Sequence, residues 1–346
     1  MATTTVAKDT TPPSANAAST PFSQPGAGGF SGPAAPLVSC NEQIFRENLN
    51  RLPFEVAHRF SGHPLFELSK LVELAGEISS RNDPHRPFGD AYCLIGTPDP
   101  GEKALEASKP IRAVAETIEQ IQNANGWIML NHVERNPAYQ KVLEEGIADV
   151  LQLAGREVKN KIKWFEAIIF VTSPGRATPY HVDRECAWLL QIRGDKEIHL
   201  FPRSDKQAVP DEELERFWAV DNQAGVYKPQ FESHAMVFKM RPGTGVHIPV
   251  NTPHWLRNGD GISISMNINF VFHDRIWGNI YKANHQLRKR GFHPTPPGQN
   301  ALKDGLKGAA YTAVQRVSGL IKRRPYVPEI AREQNRRIFE QMENRW

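Results

Sequence analysis

Residues 175–201 read GRATPYHVDRECAWLLQIRGDKEIHLF. Three runs within it, Thr178 to Asp183, Ala187 to Ile192 and Lys196 to Phe201, are apolar or alternating and are separated by polar or Gly-containing breaks. That pattern predicts strands. The same signal recurs before this stretch at Ile162 to Thr172, and after it at His234 to Met240, Gly245 to Val250 and Ile262 to Phe272. A shorter strand near Trp218 to Val220 brings the total to about eight, the number in a two-sheet jelly roll. The expected fold is therefore mainly β with added helices: a double-stranded β-helix over residues 161–275, flanked by helical regions.

The chain around this core divides by composition. Residues 1–38 are rich in Thr, Ser, Pro, Ala and Gly, as in Gly26-Ala27-Gly28-Gly29, and bury too little apolar surface to order themselves. Residues 39–160 are expected to be mainly helical. Leu65, Leu68, Leu71, Val72 and Ala75 share one helical face, as do Ile111, Val114, Ala115, Ile118 and Ile121, with Pro110 suited to a first turn. Pro137 to Ala154 gives a third amphipathic stretch. Residues 276–346 form a basic helical region: residues 271–346 hold 15 Lys and Arg against 6 Asp and Glu. Runs such as Arg288-Lys289-Arg290 and Lys322-Arg323-Arg324 are expected to be solvated helix faces, because no nucleic-acid motif accompanies them.

With 346 residues, 40% of them hydrophobic, the chain can bury a substantial core. It has no apolar run of membrane-spanning length and no basic-then-apolar leader, so a cytoplasmic protein without membrane contact is expected. Cys40, Cys93 and Cys186 are widely spaced and odd in number, which fits reduced thiols.

His181-Val182-Asp183 closes the second expected strand, and residues i and i+2 of a strand point to one face, so both side chains reach one ion. His132-Val133-Glu134 has the same form but falls between helical regions and is not expected to ligate. Gly175 stands six residues before His181, and Gly243, Pro249, His254 and Asn258 fall at the intervals of the second cupin motif. That motif has Gly where this chain has Asn251, the next best residue for a left-handed turn. Two neutral imidazoles and one carboxylate make a facial triad suited to non-haem Fe(II), with open positions left for a cosubstrate and O2. The candidate metal ligands, and so the catalytic centre, are His181, Asp183 and His254.

Over roughly Phe170 to Phe272 the chain resembles the JmjC-type and cupin-like 2-oxoglutarate oxygenases, and within them most closely the asparaginyl hydroxylases acting on hypoxia-inducible factor. The resemblance implies cosubstrate roles for Lys196, in Gln191-Ile192-Arg193-Gly194-Asp195-Lys196, for Thr178, three residues before His181, and for Asn267, in Ser265-Met266-Asn267. That family places Asn where this chain has Ala187. Chemistry agrees about Lys196, since the distal carboxylate of a chelated dicarboxylate in an apolar pocket needs a buried cation. In halogenating relatives a small residue replaces the carboxylate, so Asp183 favours hydroxylation or demethylation over halogenation.

The expected activity is Fe(II)- and 2-oxoglutarate-dependent oxygenation by O2 of a protein side chain or a small molecule, with release of succinate and CO2. N-demethylation and a non-catalytic, ligand-binding regulatory role remain as alternatives. Arg184, Trp255 and Tyr227, the last in the polar insertion from Arg203 to Glu232, are candidate substrate contacts or packing residues. Leu302, Leu306, Ala310, Val314, Val317 and Ile321 at helical spacing either form a homodimer, as the resemblance implies, or pack on residues 40–160.

Overall fold

The structure is a computed structural model and describes residues 35–81, 90–96, 99–102, 109–111, 114–221, 223–272 and 276–321. Most of the low-complexity stretch at residues 1–38 and the run Lys322-Arg323-Arg324 lie outside the described residues. The described strands are β1 (Val38–Ser39), β2 (Phe54–His58), β3 (Ala91–Ile95), β4 (Lys109–Ile111), β5 (Gly126–Asn131), β6 (Ile162–Thr172), β7 (Ala177–His181), β8 (Cys186–Arg193), β9 (Lys196–Leu200), β10 (Met236–Met240), β11 (Thr244–Ile248), β12 (His254–Asn258) and β13 (Ser263–Phe272).

Strands β6 to β13 form the double-stranded β-helix. One sheet runs β10-β9-β12-β7, and the other contains β11-β8-β13-β6 as its centre. Every described pairing is antiparallel. Ala187, Leu189, Ile198, Leu200, Val246, Ile248 and Leu256, drawn from both sheets, pack together between them.

The outer face of the larger sheet is covered as well. Cys186, Trp188, Leu190 and Ile192 on β8, with Ile264, Met266, Ile268 and Phe270 on β13, join Leu71, Leu74, Leu143, Ile147 and Val150 from the helices Leu68–Ser80 and Pro137–Ala154. This burial on both faces explains why β8 reads as an almost unbroken apolar run.

Two expectations are corrected. The eighth core strand is β12, not Trp218 to Val220, which falls at the end of the helix Asp211–Ala219. The misreading arose because β12 reads His-Trp-Leu-Arg-Asn: its polar members His254 and Asn258 are buried and hide the alternation. The region 39–160 is mixed, since β1 to β5 extend the larger sheet to nine strands. β3 to β5 add to it beyond β6, where Pro110 sits on β4, an edge strand that does not need its N–H. The helix Pro137–Ala154 matches its predicted limits.

Two buried histidines outside the candidate metal site tie this architecture to pH. His247 on β11 accepts a hydrogen bond at Nε2 from the Asn50 N–H (2.9 Å), and burial holds its pKa down at about 3. His58 on β2 accepts at Nδ1 from the Phe60 N–H, and burial again lowers its pKa, to about 4. Both must stay neutral in the fold, while unfolded histidine protonates near 6.5. The unfolded state therefore binds more protons below that pH, and stability falls as pH drops from about 6.5 towards 4. Urea denaturation across this range is expected to show a loss approaching about 1.4 kcal/mol per pH unit for each histidine, and His247→Phe should flatten the slope.

Candidate metal centre and cosubstrate cavity

β7 and β12 are hydrogen-bonded neighbours, and His181 and His254 stand directly opposite each other across them. Their rings are 4.2 Å apart between centroids. Asp183 follows β7 on the turn into β8; its Oδ2 lies 3.9 Å from His181 Nε2 and 3.7 Å from His254 Nε2. The turn is pinned by the Asn251 N–H, which donates to the Asp183 carbonyl at 3.1 Å. Asn251 itself has φ 62°, the left-handed conformation predicted for it.

Each imidazole is fixed in one tautomer by its own backbone. His181 Nδ1 donates to the Pro179 carbonyl (2.7 Å) and His254 Nδ1 to the Thr252 carbonyl (2.9 Å). Both Nε2 lone pairs therefore point away from these bonds and towards Asp183. One ligand atom from each of His181, Asp183 and His254 comes within 4.8 Å of the others. Burial pushes the His254 pKa down to about 4, with neighbouring His181 adding to this and Asp183 opposing it. A neutral ring is the form that binds a cation.

The triad lines a cavity shared with Thr178, Lys196, Asn267, Leu189, Ile248 and Leu256, and with Trp127 and Phe170 on its wall. The six residues named from sequence as metal and cosubstrate groups thus face one space. Lys196 arrives there because Gly194 and Asp195 turn β8 into β9, at whose first position it stands. Its Nζ donates to Ser265 Oγ (2.9 Å), it is 6% exposed, and burial alone holds its pKa down at about 7. Asn267 donates to Asn269 Oδ1 (2.9 Å), while its own buried Oδ1 has no hydrogen-bond partner among the described residues. A buried ammonium held only by a neutral hydroxyl is a site prepared for an anionic guest, while the unsatisfied amide oxygen beside it calls for a hydrogen-bond donor.

Sequence reasoning missed Ser265, Trp127 and Phe170. The signal for Ser265 lay in β13, where Ser263, Ser265, Asn267 and Asn269 alternate with Ile264, Met266, Ile268 and Phe270. Both sets are buried, so the polar face is the one turned into the jelly roll. Trp127 came from a region read as helical and carried no such signal.

The candidate substrate contacts separate from this cavity. Trp255 alternates with His254 to the outer face of β12, stacks on His199 (3.9 Å between centroids) and donates from Nε1 to Glu232 Oε2 (3.2 Å). The Tyr227 hydroxyl donates to the same oxygen (2.7 Å). Arg184 lines a second cavity. His132 and Glu134 bond to each other (3.0 Å), and Glu134 accepts from the Ala167 N–H (3.0 Å), a structural use consistent with their exclusion as ligands.

The sequence matches no protein-family model and no curated protein. Among solved structures it is similar to those of the Escherichia coli ribosomal oxygenase YcfD. One crystal structure of that protein shares 12% identity at a TM-score of 0.45, covering 89% of this chain and 68% of the other. Its complex with cobalt and 2-oxoglutarate gives 12% and 0.45, and that with cobalt and succinic acid 13% and 0.43, each over 89% of this chain and 68% of the other. A likeness this weak adds nothing to the assignments, which rest on strand order and donor geometry. No helix among the described residues is long and apolar enough to cross a membrane.

Proposed function

We propose that this protein is an Fe(II)- and 2-oxoglutarate-dependent oxygenase. The observation that carries it is the joining of two half-sites in one cavity: the donor set His181, Asp183 and His254, and a buried Lys196 that forms no ion pair with a carboxylate of the described residues. Two neutral imidazoles and a carboxylate suit Fe(II) and leave coordination positions open. Lys196, with Thr178 and Asn267 beside it, suits the distal carboxylate of 2-oxoglutarate.

When bound, iron and 2-oxoglutarate supply the oxidising chemistry, in which O2 and 2-oxoglutarate give succinate and CO2 and one oxygen atom enters a substrate C–H bond. The chain's own residues hold and orient. His181 and His254 present lone pairs fixed by the Pro179 and Thr252 carbonyls, and Asp183 supplies negative charge from a turn tied to Asn251. Lys196 carries the proton that the cosubstrate carboxylate needs as a hydrogen-bond donor. Leu189, Ile248 and Leu256 exclude water around it. Substrate class, protein side chain or small molecule, is tested by mass spectrometry of extracts for the gain of one oxygen.

The deciding experiment is succinate formation from 2-oxoglutarate with Fe(II) and O2, with His181→Ala as control. Turnover in the wild type and none in the variant supports the reading; neither turnover nor iron binding in the wild type overturns it in favour of a non-catalytic ligand-binding protein.

We further propose that the helix Ala301–Ile321 mediates a homodimer. It packs on the helix Ile276–Arg288, where Asn279 donates to Thr312 Oγ1 (3.0 Å), and leaves Leu302, Leu306 and Val314 at 64–76% exposure. Light scattering of the full chain at micromolar concentration is expected to give the dimer mass. Leu306→Glu should give the monomer mass.

A further inference from the structure

A second cavity, of about 480 Å³, shares no lining residue with the first and has the size of a small-molecule site. It borders the turn that carries Asp183: Arg184 and Glu185 continue from that turn into its wall, and Asn251 lines it as well.

Its walls are flat and rigid. Trp218 packs against the helix Ile276–Arg288 at Gly278, where any Cβ would strike the indole ring. The Trp218 Nε1 donates to Asn251 Oδ1 (2.8 Å), and the Arg184 guanidinium lies 5.1 Å from the indole centroid. Lys282 Nζ stands 5.9 Å from the same ring. Trp277 lines the cavity while 44% exposed.

Its charge is one-sided. Arg184, Arg203, Lys206 and Lys282 line it against Glu185 among the described residues. Lys206 is matched by Asp211 at 2.8 Å. Arg203 differs: its Nη1 donates to the Val250 carbonyl (3.1 Å) and its Nη2 to the Asn50 carbonyl (3.0 Å), and it forms no ion pair with a carboxylate of the described residues. Burial holds its pKa below the usual range. A largely buried guanidinium solvated by neutral carbonyls is costly, and an anion in the cavity offsets that cost.

We propose that this cavity binds a small planar organic anion, its ring against Trp218 and Trp277 and its carboxylate towards Arg203. None of its residues belongs to the metal or cosubstrate groups, so its test needs neither iron nor 2-oxoglutarate, although Arg184 is also one of the substrate-contact candidates named from sequence. Aromatic faces hold the ring by dispersion, and a guanidinium matches a carboxylate in two parallel hydrogen bonds.

The test is calorimetric titration of the full chain with 2-naphthoate and with the neutral 2-naphthamide. One naphthoate per chain is expected, bound at least about tenfold more tightly than the amide. Trp277→Ala should weaken both probes, Lys282→Gln should weaken naphthoate selectively, and Arg203→Met should remove the preference for the anion. Lys196→Met should leave naphthoate binding unchanged, which places the probe outside the cosubstrate cavity. Equal affinity for the two probes, binding lost in Lys196→Met, or binding indifferent to both Trp277→Ala and Lys282→Gln overturns the proposal. Those last two variants decide the matter even if Arg203→Met fails to fold.

Discussion

Asp183→Ala is expected to lose iron at least about a hundredfold more readily than the wild type, since partners of metal ligands alone are worth 10–100-fold in affinity. The Asp183 carboxylate faces the two Nε2 atoms at 3.9 and 3.7 Å and sits on a turn held by its backbone, so its removal leaves the fold standing. It also removes the negative charge that sets two neutral rings apart from a simple histidine pair. His181→Ala and His254→Ala should behave alike in metal content. His254→Ala should also cost stability, because its ring is 3% exposed and leaves a void. Metal analysis after gel filtration, with circular dichroism to confirm folding, measures this directly. Undiminished iron in all three variants would show that the triad is not the metal site.

Lys196→Met is expected to divide binding from stability. Without its charge-assisted hydrogen bond, worth about 1.5–3 kcal/mol, the 2-oxoglutarate requirement should rise at least tenfold. The protein should nevertheless become more stable by roughly 1–3 kcal/mol near neutral pH, because a buried and uncompensated ammonium is replaced by an apolar chain of similar length. The sign with pH follows from burial. The folded pKa stands near 7 against an ordinary 10.5, so between these values the unfolded chain holds a proton that the folded one has released. Wild-type stability therefore gains from this residue's deprotonation as pH rises through that window, and Lys196→Met should lack the gain. Binding of 2-oxoglutarate at pH 8 should draw a proton onto Lys196, visible as buffer-dependent enthalpy in calorimetry. A variant that titrates with 2-oxoglutarate like the wild type would assign the carboxylate to another residue.

The local sequence carried much of the jelly roll. Period-two runs and short turns are properties of neighbouring residues, so β6 to β11 and β13 were legible within a few positions, and so was the helix Pro137–Ala154. The pair His181 and Asp183 could be recognised from its spacing, although β7 ends at His181 and it is the turn tied to Asn251 that brings Asp183 to the same side. Asn251 in the left-handed region followed from residue chemistry alone.

What the sequence hid were features whose meaning depends on distant partners. β12 escaped notice because His254 and Asn258 are buried polar residues, which invert the pattern that marks a strand. β1 to β5 were masked among helices because short strands owe their stability to a sheet edge supplied by β11 and β6. Sequence points to Trp255 for its place beside His254 and to Tyr227 for its place in the insertion from Arg203 to Glu232, yet alternation sends Trp255 to the outer face, where both meet Glu232. Residue type and spacing by themselves determined that this chain could build a jelly roll with a donor triplet. Only the tertiary structure decided that His254 stands opposite His181 and that Lys196 shares their cavity without an ion-pair partner among the described residues, because strand register and the desolvation of a charge are set by chain segments far apart in sequence.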